Sequence, residues 1–246
     1  MAPTIVLITG ANRGIGKGIL ELYLQKPNHT IIAANRDPSH PTSKALNDLP
    51  KADGTSLHVV KIDATSPTDP ADVVKELEIK GIDHIDILIA NAGIALGFPK
   101  VEEVQVDYIQ KHVDVNIYGF IRLYQAFLPV LKKAKNPRWV TIGLRKRFSG
   151  ELVILITVDS NYLPIRNAAY APTKLVQHWY TKAISVEAPC WVQTELGNRG
   201  ADAVGVEKAD ITVEESTTGI VKVIDASTRE THSGKLFKYD GNELPW

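Results

Sequence analysis

The chain has 246 residues, 44% of them hydrophobic and 23% charged, with 28 Lys plus Arg against 28 Asp plus Glu. That length suffices for one sizeable core, and a formal net charge of zero removes the electrostatic reason to expect nucleic acid or an anionic membrane as partner. The one cysteine, Cys190, excludes an intramolecular disulfide, and seven scattered histidines provide no metal-ligand spacing.

Cysteine usage of this kind fits a reducing, cytoplasmic setting. The opening MAPTIVLITG lacks a basic n-region and reads as a strand rather than a signal peptide. Short apolar runs then alternate with longer helical patterns. Thr4–Thr9, Thr30–Ala34, Leu57–Ile62 and Ile85–Ala90 are near-continuous runs rich in Ile and Val, which suits parallel strands covered on both faces. Between them, Gly14–Gln25 carries an apolar stripe of Ile15, Ile19, Leu20 and Leu22. Pro70–Lys80 is a second helical stretch, with Asp69 and Pro70 as N-cap and first helical residue. A longer helical region covers roughly Val104–Lys133. The rhythm predicts an α/β, doubly wound parallel sheet of the Rossmann type in a single domain over residues 1–246.

Beyond Asn136 the pattern becomes irregular. Trp139–Gly143 and Leu152–Val158 are both strand-like where the rhythm calls for one fifth strand, which predicts an insertion around residues 144–160. Arg145, Lys146 and Arg147 within it read as a solvated loop. Only fourteen residues separate Lys174 from Pro189. A helix crossing the sheet needs about 10–12 of them, so the sixth strand is expected to be missing or replaced.

ITGANRGIGKG is the most specific local signal. Gly10, Gly14 and Gly16 follow a strand and open a helix, the arrangement in which a tight turn brings backbone and helix N-terminus up to a pyrophosphate. With Thr9 before it, this turn resembles the TGxxxGxG motif of the short-chain dehydrogenase/reductase family. Four more stretches carry the resemblance in order: Asp63 in VVKIDAT, Asn91–Gly93 as NAG, Asn116 in DVNIYG, and Tyr170-x-x-x-Lys174. APCWVQTEL resembles the family's motif after the sixth strand, with Cys190 at the turn glycine, and Thr194 matches its hydroxyl. RDPSHP, the Asn116 region and the C-terminal stretch resemble the norsolorinic acid ketoreductase group of fungal reductases, which act on an aromatic polyketide ketone.

The resemblance implies a carbonyl reductase using NADP(H). Cofactor contact is implied at Gly10, Arg13, Gly14, Ile15, Gly16, Arg36, Asp63, Asn91, Gly93, Tyr170, Lys174, Val192 and Thr194. Charge supports the phosphorylated cofactor: Arg36 follows the second strand and Arg13 lies in the glycine turn, where two cations favour a 2′-phosphate, with Asp37 one residue further on as the opposing charge. Lys174 stands one helical turn after Tyr170. Its ammonium and the nicotinamide ring are expected to bring the phenol towards neutral pH, so that Tyr170 gives a proton to a carbonyl oxygen. The resemblance has Lys174 hold the nicotinamide ribose and Asn116 order a water relay. It also calls for a hydroxyl on the substrate oxygen just after the fifth strand, and Leu144-Arg145-Lys146 after Gly143 puts none in that place. Thr157, thirteen residues before Tyr170, and Ser160 are the two alternatives. The stretch 194–216 is expected to be a mobile lid, and HSGKLFKYDGNELPW a final strand and tail. Homodimers or homotetramers are implied through the family's long helices. The alternative to a working enzyme is a dinucleotide-binding member without turnover.

Overall fold

A computed structural model of the chain describes residues 2–143, 168–184, 187–189, 192–195, 198–199, 207–209, 211–233 and 235–244. Thr157, Ser160, Cys190, the basic triplet 145–147 and the strand-like run 152–158 lie outside the described residues.

Strand and helix alternate from the start: β1 (Thr4–Thr9), α1 (Gly14–Leu24), β2 (His29–Asn35), α2 (Pro41–Lys44), β3 (Ser56–Lys61), α3 (Asp69–Ile79) and β4 (Ile87–Ala90). There follow α4 (Val106–Val113), a π-helical turn at Asp114–Tyr118, α5 (Gly119–Leu131), β5 (Arg138–Gly143), α6 (Tyr170–Ile184) and β6 (Glu187–Pro189). The chain closes with α7 (Val213–Ala226), α8 (Arg229–His232), β7 (Leu236–Phe237) and β8 (Glu243–Leu244). Among the described residues the strands form one sheet in the order β3-β2-β1-β4-β5-β6-β7-β8. Every pairing is parallel except β7 with β8.

Side-chain alternation in β1, β2 and β4 divides the core between the two faces. Val6, Ile8, Ile31, Ala33, Ile87 and Ile89 pack with Leu20 and Leu24 of α1 and Ile220 and Ile224 of α7. Ile5, Leu7, Ile32, Ala34 and Leu88 pack with Val73 and Leu77 of α3 and Phe120 and Phe127 of α5. Both faces of these strands are therefore buried, which is why the sequence shows unbroken apolar runs rather than an in–out alternation.

The run Trp139–Gly143 lies in the fifth strand, Arg138–Gly143, which pairs with β4 from Ile87↔Arg138 to Ala90↔Thr141 and with β6 on its other side. The expectation of a missing sixth strand is corrected. Residue count leaves no room for a strand of ordinary length, but a short one suffices. α6 runs to Ile184, and Glu187–Pro189 pairs with Thr141–Gly143. Three extended residues reach about 10 Å, enough to flank the carboxyl end of β5. The final stretch is an antiparallel hairpin, β7 with β8, rather than one strand.

The stretch expected to form a lid does not extend to residue 216 as anticipated. Thr212 accepts the Glu215 N–H at 3.1 Å while the Glu215 carboxylate accepts the Thr212 N–H at 2.8 Å. This reciprocal capping box starts α7 at Val213, so residues 213–216 belong to a packed helix.

Candidate active site

The carboxyl ends of β1 and β4 are neighbours, and the chain leaves them in opposite directions. This is the switch point at which open α/β sheets form a crevice. The glycine turn lies there. Gly10, at φ +64°, donates its N–H to Ala34 O at 2.8 Å, and Gly14, at φ +55°, opens α1. Both angles lie in the left-handed region that glycine adopts at no steric cost. A Cβ on Gly16 would sit 2.3 Å from Gly10 O and 2.5 Å from Asn91 Nδ2, so the helix can approach the turn only without a side chain. Ile15, half-buried, packs beneath the turn against the first core.

Asn91 and Thr9 tie the two strand ends together. Asn91 Nδ2 donates to Thr9 O at 2.9 Å and to Gly10 O at 3.2 Å. Thr9 Oγ1 accepts the N–H groups of Asn91 and Ala92, both at 3.0 Å. The Asn91 side chain thus shapes the turn from behind. Arg13 precedes α1 as its N-cap without a side-chain cap bond, leaving the helix N-terminus suited to an anion. Arg13 itself is paired with Glu195 at 3.1 Å. Thr194 lies against the turn as well, its Cγ2 3.3 Å from where a Gly14 Cβ would be. Val192 is buried and bridges Ile211.

Two further positions border the crevice at the ends of β2 and β3. Arg36 is exposed and has no partner among the described residues. Asp37, the residue whose charge opposes it, is turned to Ser39, accepting its N–H at 2.8 Å and its hydroxyl at 2.6 Å. Those bonds hold the Asp37 carboxyl below its ordinary range. Just before Arg36, both amide atoms of Asn35 are buried without a partner. Asp63 accepts the Thr65 N–H and hydroxyl on Oδ1 at 2.9 and 2.7 Å, and its own N–H is held by Asp69 Oδ2 at 2.9 Å.

A second group gathers between β4 and α6. Tyr170 and Lys174 are both buried on the first turns of α6. Lys174 Nζ lies 5.9 Å from the centre of the Tyr170 ring, and donates to Ile142 O at 3.2 Å and Gln177 Oε1 at 2.7 Å. Thr173 Oγ1 donates to Tyr170 O at 2.7 Å and accepts from Asn116 Nδ2 at 3.0 Å. Asn116, buried in the π-helical turn, also donates to Ile94 O at 3.0 Å and accepts the Ile94 N–H at 2.9 Å. Gly93 faces both: a Cβ there would be 3.2 Å from Asn116 Oδ1 and 3.8 Å from Lys174 Nζ. The structure therefore brings Gly93, Asn116, Tyr170 and Lys174 together. The hydroxyl position is not among the described residues.

The electrostatics of Tyr170 differ from expectation. Burial pushes its hydroxyl above the ordinary tyrosine range, because a phenolate loses its hydration there. The ammonium expected to offset this is directed to Ile142 O and Gln177. Both Nδ2 hydrogens of Asn116 are spent on Ile94 and Thr173, which leaves a lone pair of Oδ1 as the amide's remaining capacity.

Sequence reasoning passed over Thr173, Gln177, Glu195, Arg199 and His112. Thr173 and Gln177 share a helix with Tyr170, and their i+3 spacing from Tyr170 and Lys174 was the available signal. Nothing local marks the others.

A model of the short chain dehydrogenase family matches residues 4–195. Short-chain dehydrogenase srdF of Neurospora crassa is 38% identical, covering 99% of this chain and 98% of that protein. Norsolorinic acid ketoreductase nor1 of Dothistroma septosporum is 37% identical, covering 99% and 92%. In three dimensions the chain is similar to an NADPH-bound carbonyl reductase from chicken fatty liver, with TM-score 0.79, 24% identity and full coverage of both chains. It is likewise similar to carbonyl reductase Sniffer of D. melanogaster, with TM-score 0.76, 25% identity and full coverage of both. With a family match over most of its length and relatives above 30% identity end to end, the chain belongs to the short-chain dehydrogenase/reductase family.

Proposed function

We propose that the chain is a single-domain, NADPH-dependent carbonyl reductase of a ketone, an aromatic polyketide being the favoured substrate class. The observation that carries the reading is the buried Tyr170–Lys174 pair, linked through Thr173 and Asn116 to Gly93 beside the switch-point crevice. The ketone class follows the norsolorinic acid ketoreductases, at 37% identity in Dothistroma septosporum and 32% in Emericella nidulans.

The residues present fit a phosphorylated dinucleotide. The glycine turn is a cradle that a Cβ on Gly16 would fill, and α1 begins without a side-chain cap. Gly10, Gly14, Ile15 and Gly16 would hold the pyrophosphate, with Asn91 maintaining their turn and Val192 and Thr194 closing over it. Arg36, without a partner among the described residues and with Asp37 turned away, favours NADPH over NADH; Arg13 joins it on release from Glu195. Asp63 would meet the adenine. When bound, NADPH supplies the hydride.

Lys174 orients the cofactor's ribose, and Tyr170 gives its proton to the carbonyl oxygen. A hydroxyl whose pKa is raised stays protonated at neutral pH, which suits a proton donor in the reductive direction. Asn116 orders a water through the free lone pair of Oδ1, and Thr157 or Ser160 holds the substrate oxygen. The exposed apolar side chains of Leu175, Val176 and Trp179 on α6 support self-association as a homodimer or homotetramer. We place the enzyme in the cytoplasm.

Turnover of a panel of aromatic ketones with NADPH, measured beside Tyr170→Phe, tests the reading. Turnover abolished by the substitution supports it. NADPH binding without turnover by the unaltered chain would identify a dinucleotide-binding protein instead.

A further inference from the structure

α4 and the π-helical turn after it direct two side chains, His112 and Asn116, at one stretch of the loop that follows β4. Asn116 grips Ile94 by two hydrogen bonds. Four residues earlier, His112 is fully buried, and its Nε2 lies 3.2 Å from the Leu96 nitrogen. Leu96 has only an N–H to offer at that atom, so Nε2 is the acceptor and the proton sits on Nδ1, which donates to Tyr108 O at 2.8 Å. The hydrogen-bond network thereby assigns the Nδ1–H tautomer of a neutral imidazole.

The spacing explains why the two grips act together. The two grips lie four residues apart on the helical side and two residues apart on the loop. Helix positions 112 and 116 therefore match loop positions 96 and 94, with the loop running opposite to the helix. The same loop is tied from its other side. Ala95 O accepts from Arg199 Nη2 at 2.6 Å, and Pro99 O accepts the Ala168 N–H at 3.0 Å, two residues before Tyr170. At Gly97 a Cβ would meet the Tyr108 hydroxyl at 2.4 Å, and the Tyr108 ring lies 5.2 Å from that of His112.

We propose that His112 is a positioning residue for carbonyl reduction. As a neutral acceptor it fixes Leu96, and through it the Gly93–Leu96 main chain that holds Asn116 and borders Lys174. This rests on the carbonyl reductase reading above. Without the acceptor, Leu96 N–H loses its partner, the helix side of the loop is held at Ile94 alone, and Asn116 and Gly93 shift relative to Tyr170. Misplacements of this size cost rate more than they cost cofactor binding.

The test compares His112→Phe, which keeps a ring without an acceptor, with His112→Gln, whose Oε1 reaches the Nε2 position. Should the phenylalanine variant not fold, His112→Asn takes its place, being able to reach Tyr108 O but not Leu96. Hydrogen exchange of the 93–99 segment is followed by mass spectrometry, NADPH affinity by fluorescence titration, and kcat with phenanthrenequinone. The expected result is faster exchange and about tenfold lower kcat in His112→Phe at unchanged NADPH affinity, with both restored to within about twofold in His112→Gln. Unaltered exchange and kcat in His112→Phe, or equal damage in both variants, overturns the proposal. If the unaltered enzyme binds NADPH but does not turn over the quinone, it is the reductase reading that fails. Exchange alone then decides: slow exchange retained by His112→Gln and lost by His112→Phe upholds the fixing of Leu96, and any other pattern overturns it.

Discussion

Arg13 Nη1 lies 3.1 Å from Glu195 Oε2, although the two residues are 182 positions apart. The pair spans the crevice from the glycine turn to the segment after Thr194. Glu195 holds the guanidinium with a carboxylate where the proposed ligand would bring a phosphate. Glu195→Gln is therefore expected to tighten NADPH binding. Both side chains are largely exposed, and exposed pairs contribute about 0.2–1 kcal/mol, which corresponds to roughly 1.4- to 5-fold in affinity. Fluorescence titration measures it, and the gain should shrink at high salt. Weaker binding by Glu195→Gln would show that the carboxylate assists the cofactor rather than competing with it.

Gly16 and Gly81 separate two costs of removing a glycine. A Cβ on Gly16 meets Gly10 O at 2.3 Å, whereas one on Gly81, at φ +78°, meets nothing within 4 Å. Gly16→Ala should cost about 1–3 kcal/mol by overpacking, lower Tm by several degrees and abolish NADPH binding. Gly81→Ala should cost about 1–2 kcal/mol in backbone strain and leave binding intact. Equal affinity in the two variants would mean that the turn does not form the cofactor site.

Thr173 is the hydroxyl between the Tyr170 carbonyl and Asn116. Thr173→Val keeps the volume and removes the acceptor, leaving one Asn116 N–H buried and unpaired. The expected loss is about 1–3 kcal/mol, seen as a lower urea midpoint, together with reduced kcat. A variant of full stability would place a water where the hydroxyl stood.

Tyr23 and Tyr170 both have hydroxyls pushed above the ordinary range by burial, with the Asp225 charge adding to the shift at Tyr23. A group that holds its proton more tightly folded than unfolded stabilises the fold fully below its unfolded pKa, about 10 for tyrosine. That contribution is lost as pH rises towards the folded value. Stability should therefore fall from pH about 10 upward. Urea midpoints between pH about 9 and 11.5 should decline less steeply in Tyr23→Phe and in Tyr170→Phe. Slopes equal to that of the unaltered chain would assign the alkaline loss to other groups.

The features legible in the sequence were those set by local pattern. β1 is bounded by the same residues in sequence and structure, and the apolar runs of β2, β3 and β4 stand within a few residues of their strands. Their period is unambiguous because both faces are buried. β6 was illegible for the opposite reason. Three residues, Glu-Ala-Pro, carry no periodicity, and pairing with β5 on one side and β7 on the other brings them into the sheet. The start of α7 was signalled by Thr212-x-x-Glu215 and passed over because the preceding stretch resembles a lid. At the site, Tyr170, Lys174, Asn116 and Gly93 were visible as motif positions. The pairing of Arg13 with Glu195 and the hold of His112 on Leu96 were not. Both join residues distant in sequence, and no local rule couples a glycine turn to a carboxylate 182 positions later.

The brevity of β6 has a mechanical meaning. Among the described residues it meets β5 over three residue pairs and β7 through Glu187↔Leu236, and Pro189 has no N–H to give. Among the described residues a single rung joins the C-terminal hairpin to the rest of the sheet. What fastens the hairpin is the layer above. A Cβ on Gly219 of α7 would stand 2.2 Å from Tyr239 O, and Tyr239 packs against the first core. The hairpin should accordingly open as its own cooperative unit, early and reversibly, while β1 to β5 remain closed around the crevice.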